Sequence, residues 1–445
     1  MIEIVDSIAA IATASGPAGI GILRVSGPAC GDIARRMLGK DPTPRYAHYL
    51  SWRDDQGDLI DQGLLLYFVA PHSFTGEDVL EFQGHGSLPL LRRGLQQLCR
   101  YGARRALPGE FSQRAFLNGR MDLTQAEAIA DLISAQSDAA ARAALRSMQG
   151  VFAKRVNALQ QRLIQLRVHV EAAIDFPEEE IDFLADQAIV DQLTHITEAL
   201  HTLQREVQNG LRLRDGLKVV LLGAPNAGKS SLLNVLSGSD RAIVSAHAGT
   251  TRDIVEEHLQ FDGASLTLAD TAGLRDSDDD IEREGIRRTR QALRDADLVL
   301  AVLDGSAGDL QQQRNDLQNE LPSQSTTLWL INKVDLRTEP VETGHDVLPV
   351  SSKTGQGISQ LQERLTQLAS SSFGEGAFSA RQRHHDALSD VATHLGRGQA
   401  HLSHRQGELL AEELRLAQLA LSEITGEYLS DDLLGAIFSS FCIGK

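Results

Sequence analysis

Residues 221–231 read LLGAPNAGKSS (Leu221–Ser231), and the fold of the middle of the chain turns on them. They fit G-x-x-x-x-G-K-[ST], and they lie between an apolar run, LKVVLLG, and a segment of helix formers, which is the context the motif requires. Gly223 and Gly228 let a loop wrap around phosphate oxygens and present its backbone N–H groups. Lys229 is then placed to reach β- and γ-phosphates, and Ser230 to ligate magnesium. Asn226, Ala227, Gly228, Lys229, Ser230 and Ser231 are thus candidate nucleotide contacts at a helix start.

Downstream the apolar runs ASLTLAD, LVLAVLDG, TLWLINK and VLPVSS alternate with helix-forming segments, a pattern that predicts a doubly wound parallel sheet covered by helices. Motifs sit at the ends of these runs. DTAG supplies Asp270, Thr271, Ala272 and Gly273, with Asp270 near the magnesium through water and the Gly273 amide near the γ-phosphate. NKVD supplies Asn332, Lys333 and Asp335; the Asp335 carboxylate can accept both N–H donors on the Watson–Crick edge of guanine, which adenine lacks. SSK supplies Ser351, Ser352 and Lys353, a loop suited to the guanine oxygen, with Ser352 where Ala is usual. GTTRD (Gly249–Asp253) is a switch-like loop with Thr251 as a second protein ligand for magnesium. Occurring together in this order, the motifs specify a GTP site.

Two parts of a familiar GTPase are missing. The residue after D-x-x-G is Leu274, which cannot position water as a glutamine does. The loop beyond it offers Asp276, Asp278, Asp279, Asp280, Glu282 and Glu284, among which spacing does not choose. No arginine is identifiable as a finger, a device worth about 10³ to 10⁵ in rate, or about 4 to 7 kcal/mol of barrier. Arg252 and Arg275 read as surface or structural residues. A bound cation could fill the gap: the amide oxygen of Asn226 could ligate a monovalent ion beside the phosphates, or the residue could simply form the turn.

Outside this region the character changes. Seven of the 12 prolines lie at or before Pro108, among short runs such as IGILRVSG, LLLYFVAP and DVLEFQGHG, so residues 1–118 read as an α+β domain. Residues 119–214 and 373–445 are rich in Ala, Leu, Gln, Glu and Arg with helical apolar spacing, and read as two halves of one helical domain with residues 215–372 inserted. The 445 residues, 42% hydrophobic and 23% charged, carry only three scattered cysteines, which suits a reducing cytoplasm and excludes a disulfide framework or zinc site. No apolar run approaches a membrane span and no basic leader opens the chain. A net charge of −17 speaks against coating nucleic acid, though a local basic surface could hold RNA; RQRHH (Arg381–His385) and ARRAL read as solvated.

The last eight residues, FSSFCIGK, mimic a prenylation signal, but lysine is a poor final residue and no polybasic run or second cysteine supports an anchor. GAPNAGKSS, AGTTRD and DTAGLR, together with SFTGEDVLEFQGHG, PGEFSQRAFLNGRMDLTQAEAIADLI and the terminal FCIGK, resemble the MnmE (TrmE) family of bacterial tRNA modification GTPases over essentially the whole length. The resemblance implies a tetrahydrofolate-binding-like N-terminal domain, a discontinuous helical domain and an inserted G domain. It implies that Asn226, Ser245, His247 and Thr250 ligate potassium, within a loop whose Ala246, Ala248 and Gly249 also contact GTP, and that Glu282 positions the catalytic water. His247 departs from the apolar residue usual there, which matters little if the ligand is its carbonyl. Arg24, Glu81, Arg120 and Lys445 fall on folate-binding positions, Arg120 replacing a lysine. Cys442 is either a catalytic thiol near the one-carbon unit or a small buried hydrophobe anchoring the tail.

As a whole the resemblance implies a cytoplasmic, potassium-stimulated homodimeric GTPase. With an FAD-dependent partner of the MnmG (GidA) type, in a heterotetramer or larger assembly, it would add an aminomethyl or carboxymethylaminomethyl group to C5 of the wobble uridine of tRNA, with a formyl- or methylene-tetrahydrofolate as carbon source. The rival reading, a ribosome-assembly switch of the Era or Der kind, calls for a basic RNA-binding domain or a second G domain, and neither is visible.

Overall fold

The computed structural model describes residues 6–14, 16–135, 137–175, 187–238, 242–244, 256–261, 264–270, 291–294, 296–307, 309–322, 325–337, 341, 344, 346–370, 376–427 and 431–444. In chain order the first elements are β1 (Ser7–Ile11), β2 (Ala18–Ser26), α1 (Cys30–Leu38), β3 (His48–Arg53), β4 (Leu59–Phe68), β5 (Val79–Gly86), α2 (Leu88–Arg100), β6 (Ala103–Arg105) and α3 (Glu110–Leu117). Helices α4 (Leu123–Ser134), α5 (Asp138–Met148), α6 (Val151–Asp175) and α7 (Gln187–Asp215) follow. Then come β7 (Leu217–Gly223), α8 (Lys229–Ser237), β8 (Ala242–Val244), β9 (Glu256–Phe261), β10 (Ala264–Asp270), β11 (Leu298–Asp304), α9 (Leu310–Gln318), β12 (Thr327–Asn332), β13 (Val347–Pro349) and α10 (Ile358–Ser370). Helices α11 (Gln382–Ser403), α12 (Gly407–Thr425) and α13 (Asp431–Ser439) complete the order. Among the described residues, no helix is long and apolar enough to cross a membrane.

Contacts group the chain into two compact units, one of residues 1–130, 153–180 and 400–445 and one of residues 131–152 and 181–399. The second holds a seven-stranded sheet of order β13-β12-β11-β7-β10-β9-β8, parallel from β13 to β10 and closed at one edge by the antiparallel strands β9 and β8. Alternate residues of β7 feed opposite cores. Leu217, Val219 and Leu221 pack with Leu300, Leu330 and residues of α8 and α10, whereas Val220 and Leu222 pack with Val299, Ala301 and Trp329. A strand buried on both faces must be apolar throughout, and each such side chain removed from water contributes about 1.5–3 kcal/mol. The five parallel strands match the five apolar runs of the sequence. β8 went unread because it is only three residues long, and β9 because Glu256, Glu257, His258 and Gln260 leave no apolar run.

The last turn of α7 grips this sheet from one side and the helices from the other. Arg212 Nε donates to Asp297 Oδ1 at 2.8 Å, and Asp297 Oδ2 accepts from the Lys218 amide. Two residues on, Arg214 Nε donates to Asp131 Oδ1 at 3.0 Å, which also accepts from Arg381 at 2.7 Å, while Ser379 Oγ donates to Oδ2. Arg381 in the stretch RQRHH therefore faces this carboxylate. Asp131→Ala should lower the unfolding free energy by about 3 kcal/mol, since it removes the buried carboxylate that two guanidiniums share. The value sits at the low end because Arg214 also pairs with Asp215 and keeps a third of its side chain in water. A urea midpoint equal to that of the parent chain would contradict it.

The first unit carries a six-stranded sheet, β3-β4-β5-β2-β1-β6, antiparallel except where β6 joins β1. Leu23, Val25, Trp52, Leu65, Leu80 and Phe82 form its core against residues of α1 and α2. Below the β1–β6 edge a buried guanidinium, Arg114, bonds Asp6, Glu77 and Glu110, and Arg104 shares Asp6 and Glu110. Burial alone would raise the Glu110 carboxyl, but bonds from Arg104, the Leu107 amide and Arg114 outweigh it and hold Glu110 below the usual carboxylate range. A lowered folded-state value contributes stability above the ordinary Glu range that is lost as pH falls through the lowered value, so this cluster favours the fold at neutrality.

Candidate functional site

β7 ends where its neighbours on the two sides are β10 and β11, so the loop after it opens at the switch point of the sheet. The loop runs from Ala224 to Gly228 and enters α8 with Gly228 as N-cap at φ +95. A Cβ there would lie 2.2 Å from Asn332 Nδ2, so only glycine admits the next contact. Asn332 Nδ2 donates to the Ala227 carbonyl at 2.9 Å, and Asn332 Oδ1 accepts from the Ser352 amide at 3.1 Å and the Ser352 hydroxyl at 2.9 Å. Fully buried Asn332 thus ties the phosphate loop to the SSK loop. Ser352, in a position where Ala is usual, adds the second of these bonds.

Asp335 lies beside the same junction. Its Oδ1 accepts from Ser351 Oγ at 2.6 Å, and that oxygen in turn accepts from the Thr354 amide at 3.2 Å. Lys229 is buried, and its ammonium donates to the carbonyls of Gly223 at 2.8 Å and Ala224 at 3.0 Å, folded back over the loop that it would leave on meeting phosphate. Ser230 and Ser231 are exposed at the helix start, and Lys353 is exposed as well. Asn226 is exposed with φ +64, a left-handed conformation that asparagine tolerates better than most residues. Asp270 ends β10, in register opposite Leu221. Ser245, Ala246, His247, Ala248, Gly249, Thr250, Thr251, Thr271, Ala272, Gly273 and Glu282 lie outside the described residues.

Lys333 has a partner that sequence reading missed: its Nζ donates to Asp304 Oδ2 at 2.7 Å. The available signal was an acid closing a parallel strand at the sheet's ligand-binding edge, VLAVLDG.

A second cluster lies in the other unit. Arg24 on β2 and Glu81 on β5 face each other in register, Arg24 Nε and Nη2 both reaching Glu81 Oε1 at 2.8 Å. Among the described residues no donor takes Glu81 Oε2. Arg24 Nη1 donates to the Gly444 carbonyl at 3.2 Å, and its guanidinium lies 5.7 Å and 5.9 Å from the rings of Phe74 and Phe111. The Gly109 amide donates to the Cys442 carbonyl at 3.3 Å, and a Cβ on Gly444 would meet the Ile11 carbonyl at 2.5 Å. The FCIGK stretch therefore seats against β1 and α3 through Phe441 and Gly444. Cys442 itself is exposed, which corrects the reading of it as a buried anchor. The Arg120 stem borders Gly76, and Lys445 lies outside the described residues. Paired charge and a carboxylate oxygen with no donor among the described residues fit a ligand with N–H donors and an anionic arm.

A family model described as the MnmE helical domain matches residues 123–442, and one described as the GTP-binding protein TrmE N-terminus matches residues 7–120. The tRNA modification GTPase MnmE of Marinobacter nauticus is 53% identical, covering 99% of each chain. That of Stutzerimonas stutzeri is 51% identical, covering 100% of each. Among solved structures, the G domain of the T. maritima FeoB iron transporter is 29% identical, covering 34% of this chain and 98% of that one at a TM-score of 0.27. With two family models spanning the phosphate loop, the base loop and the Arg24–Glu81 pair, and with relatives matched end to end, the chain belongs to the MnmE family of tRNA modification GTPases.

Proposed function

We propose that the chain hydrolyses GTP in a potassium-stimulated cycle. Acting with an FAD-dependent partner of the MnmG type, it would modify C5 of the wobble uridine of tRNA with a folate-borne carbon. The observation that supports the GTP part of this reading is the junction at Asn332, which ties the phosphate loop to the SSK loop beside Asp335. Residues 215–372 would act as the G domain, inserted between helical parts 119–214 and 373–445, with residues 1–118 holding the folate.

Ser230 and Thr251 would hold magnesium, which when bound draws charge from the phosphates. Asn226, Ser245, His247 and Thr250 would hold potassium, which takes the electrostatic place of an arginine finger. Glu282 would accept a hydrogen bond from the attacking water and set its line to the γ-phosphorus. The bond from that phosphorus to the GDP oxygen then breaks as the bond to water forms. Lys229 would exchange the Gly223 and Ala224 carbonyls for phosphate oxygens, so its ammonium is paired before and after binding. Loss of the γ-phosphate would release the switch loops and allow the two G domains of a homodimer to part.

At the second cluster, Glu81 Oε2 would accept from the pterin N–H groups while Arg120 and Lys445 meet the glutamate arm. Deleting residues 442–445 removes the Gly444 carbonyl from Arg24 and should weaken 5-formyl-tetrahydrofolate binding at least 100-fold, about 2.7 kcal/mol, while GTP affinity stays unchanged. Calorimetric titration with each ligand measures both, and undiminished folate binding by the shortened chain would remove this assignment.

A further inference from the structure

Asp304 takes no part in the cycle described above, yet both oxygens of its carboxylate are engaged. Oδ1 accepts from the Ser306 amide at 2.9 Å and the Ser306 hydroxyl at 2.6 Å, and Oδ2 accepts from Lys333 Nζ at 2.7 Å. The turn beneath it is stitched by Gln313 of α9, whose Oε1 accepts from the Asp304 amide and whose Nε2 donates to the carbonyls of Asp304 and Ala307. Asp304 also lies in register beside Asn332, and the Gly305 amide donates to the Asn332 carbonyl at 2.8 Å. Burial would raise the Asp304 carboxyl, but the bonds from Lys333 and Ser306 outweigh it and hold it below its usual range.

Lys333 is itself constrained. Its φ of +61 is left-handed, which a long side chain adopts only when its surroundings hold it there. A free lysine carries about 2 kcal/mol of rotamer entropy. With Cα fixed by the strained backbone and Nζ fixed by Asp304, the four-carbon stem becomes a stationary apolar surface. Asp335, which would take the purine edge, is two residues on, inside a short helical turn from Val334 to Leu336.

We propose that Asp304 is a positioning residue for guanine-nucleotide retention, holding Lys333 extended as a fixed wall of the base pocket through the β11–α9 turn. This rests on the reading of NKVD as the base loop. It makes the turn after β11, which contacts no nucleotide by any motif, a determinant of how long the nucleotide stays.

The test uses the full chain and release of a fluorescent GDP analogue chased with unlabelled GDP. Asp304→Asn, which keeps the shape and removes the charge, should release the probe about tenfold faster. Asp304→Glu should recover most of the difference. Ser306→Ala, a milder change at the same carboxylate, should speed release about threefold and provides a readout should Asp304→Asn fold poorly. Lys333→Ala should also speed release, and adding Asp304→Asn to it should change nothing further, because both act through one contact. Parent-like release from Asp304→Asn and Ser306→Ala, or multiplying effects in the double variant, would overturn the inference alone. A parent chain that retains no GDP probe would remove the base-loop reading, and the inference with it.

Discussion

Asp335→Asn is expected to lower the affinity for GTP on the order of 10⁴-fold and to create affinity for xanthosine triphosphate. Guanine offers two N–H donors on one edge, and a carboxylate accepts both. The orientation of the replacement amide follows from the structure: Ser351 Oγ accepts from the Thr354 amide, so its own proton goes to Oδ1 of residue 335. That bond would fix the amide oxygen of asparagine on Ser351 and turn its NH₂ toward the base, where it opposes the guanine amino group. Xanthine carries a carbonyl at that position and is accepted. Equilibrium binding of the two nucleotides measures the switch, and undiminished GTP affinity would exclude Asp335 from the guanine edge.

Replacing Asn226 should abolish the dependence of GTP turnover on potassium and lower the rate in potassium on the order of 10³-fold, the bottom of the range an arginine finger supplies. The backbone at this position decides which substitution is informative. Asn226 sits at φ +64, so alanine adds about 1–2 kcal/mol of left-handed strain to the loss of the amide oxygen. Asn226→Gly tolerates the loop conformation and removes the side-chain amide without adding strain. If the residue serves merely to make the turn, the glycine variant will hydrolyse GTP in potassium as fast as the parent. If it holds the ion, the glycine and alanine variants will fall together and sodium will no longer differ from potassium.

The parallel strands were legible because burial on both faces forces a continuous apolar run, and LKVVLLG or LVLAVLD can be little else. β8 was hidden because it is only three residues long, and β9 because its polar residues break any apolar run. Motifs pointed to candidate nucleotide contacts through their order along the chain, as GKSS and NKVD do. They did not reveal partners chosen by the fold. Asp304 reaches Lys333 across 29 residues, Asp131 collects Arg381 across 250, and Arg24 meets the Gly444 carbonyl across 420. Each depends on strand register or helix docking that no local pattern encodes. The exposure of Cys442 was equally unreadable, since a cysteine beside Phe441 and Ile443 looks like core until Phe441 and Gly444 are seen to do the anchoring.

The ion-assisted hydrolysis is tested most directly by a high-resolution map of the full chain trapped with GDP, magnesium and a fluoride mimic of the departing phosphoryl group, in potassium buffer. A monovalent cation touching the Asn226 amide oxygen and the β- and γ-side oxygens, with Glu282 bonded to the in-line water, is the result this account predicts. An arginine side chain on those oxygens, with no ion beside Asn226, would contradict it.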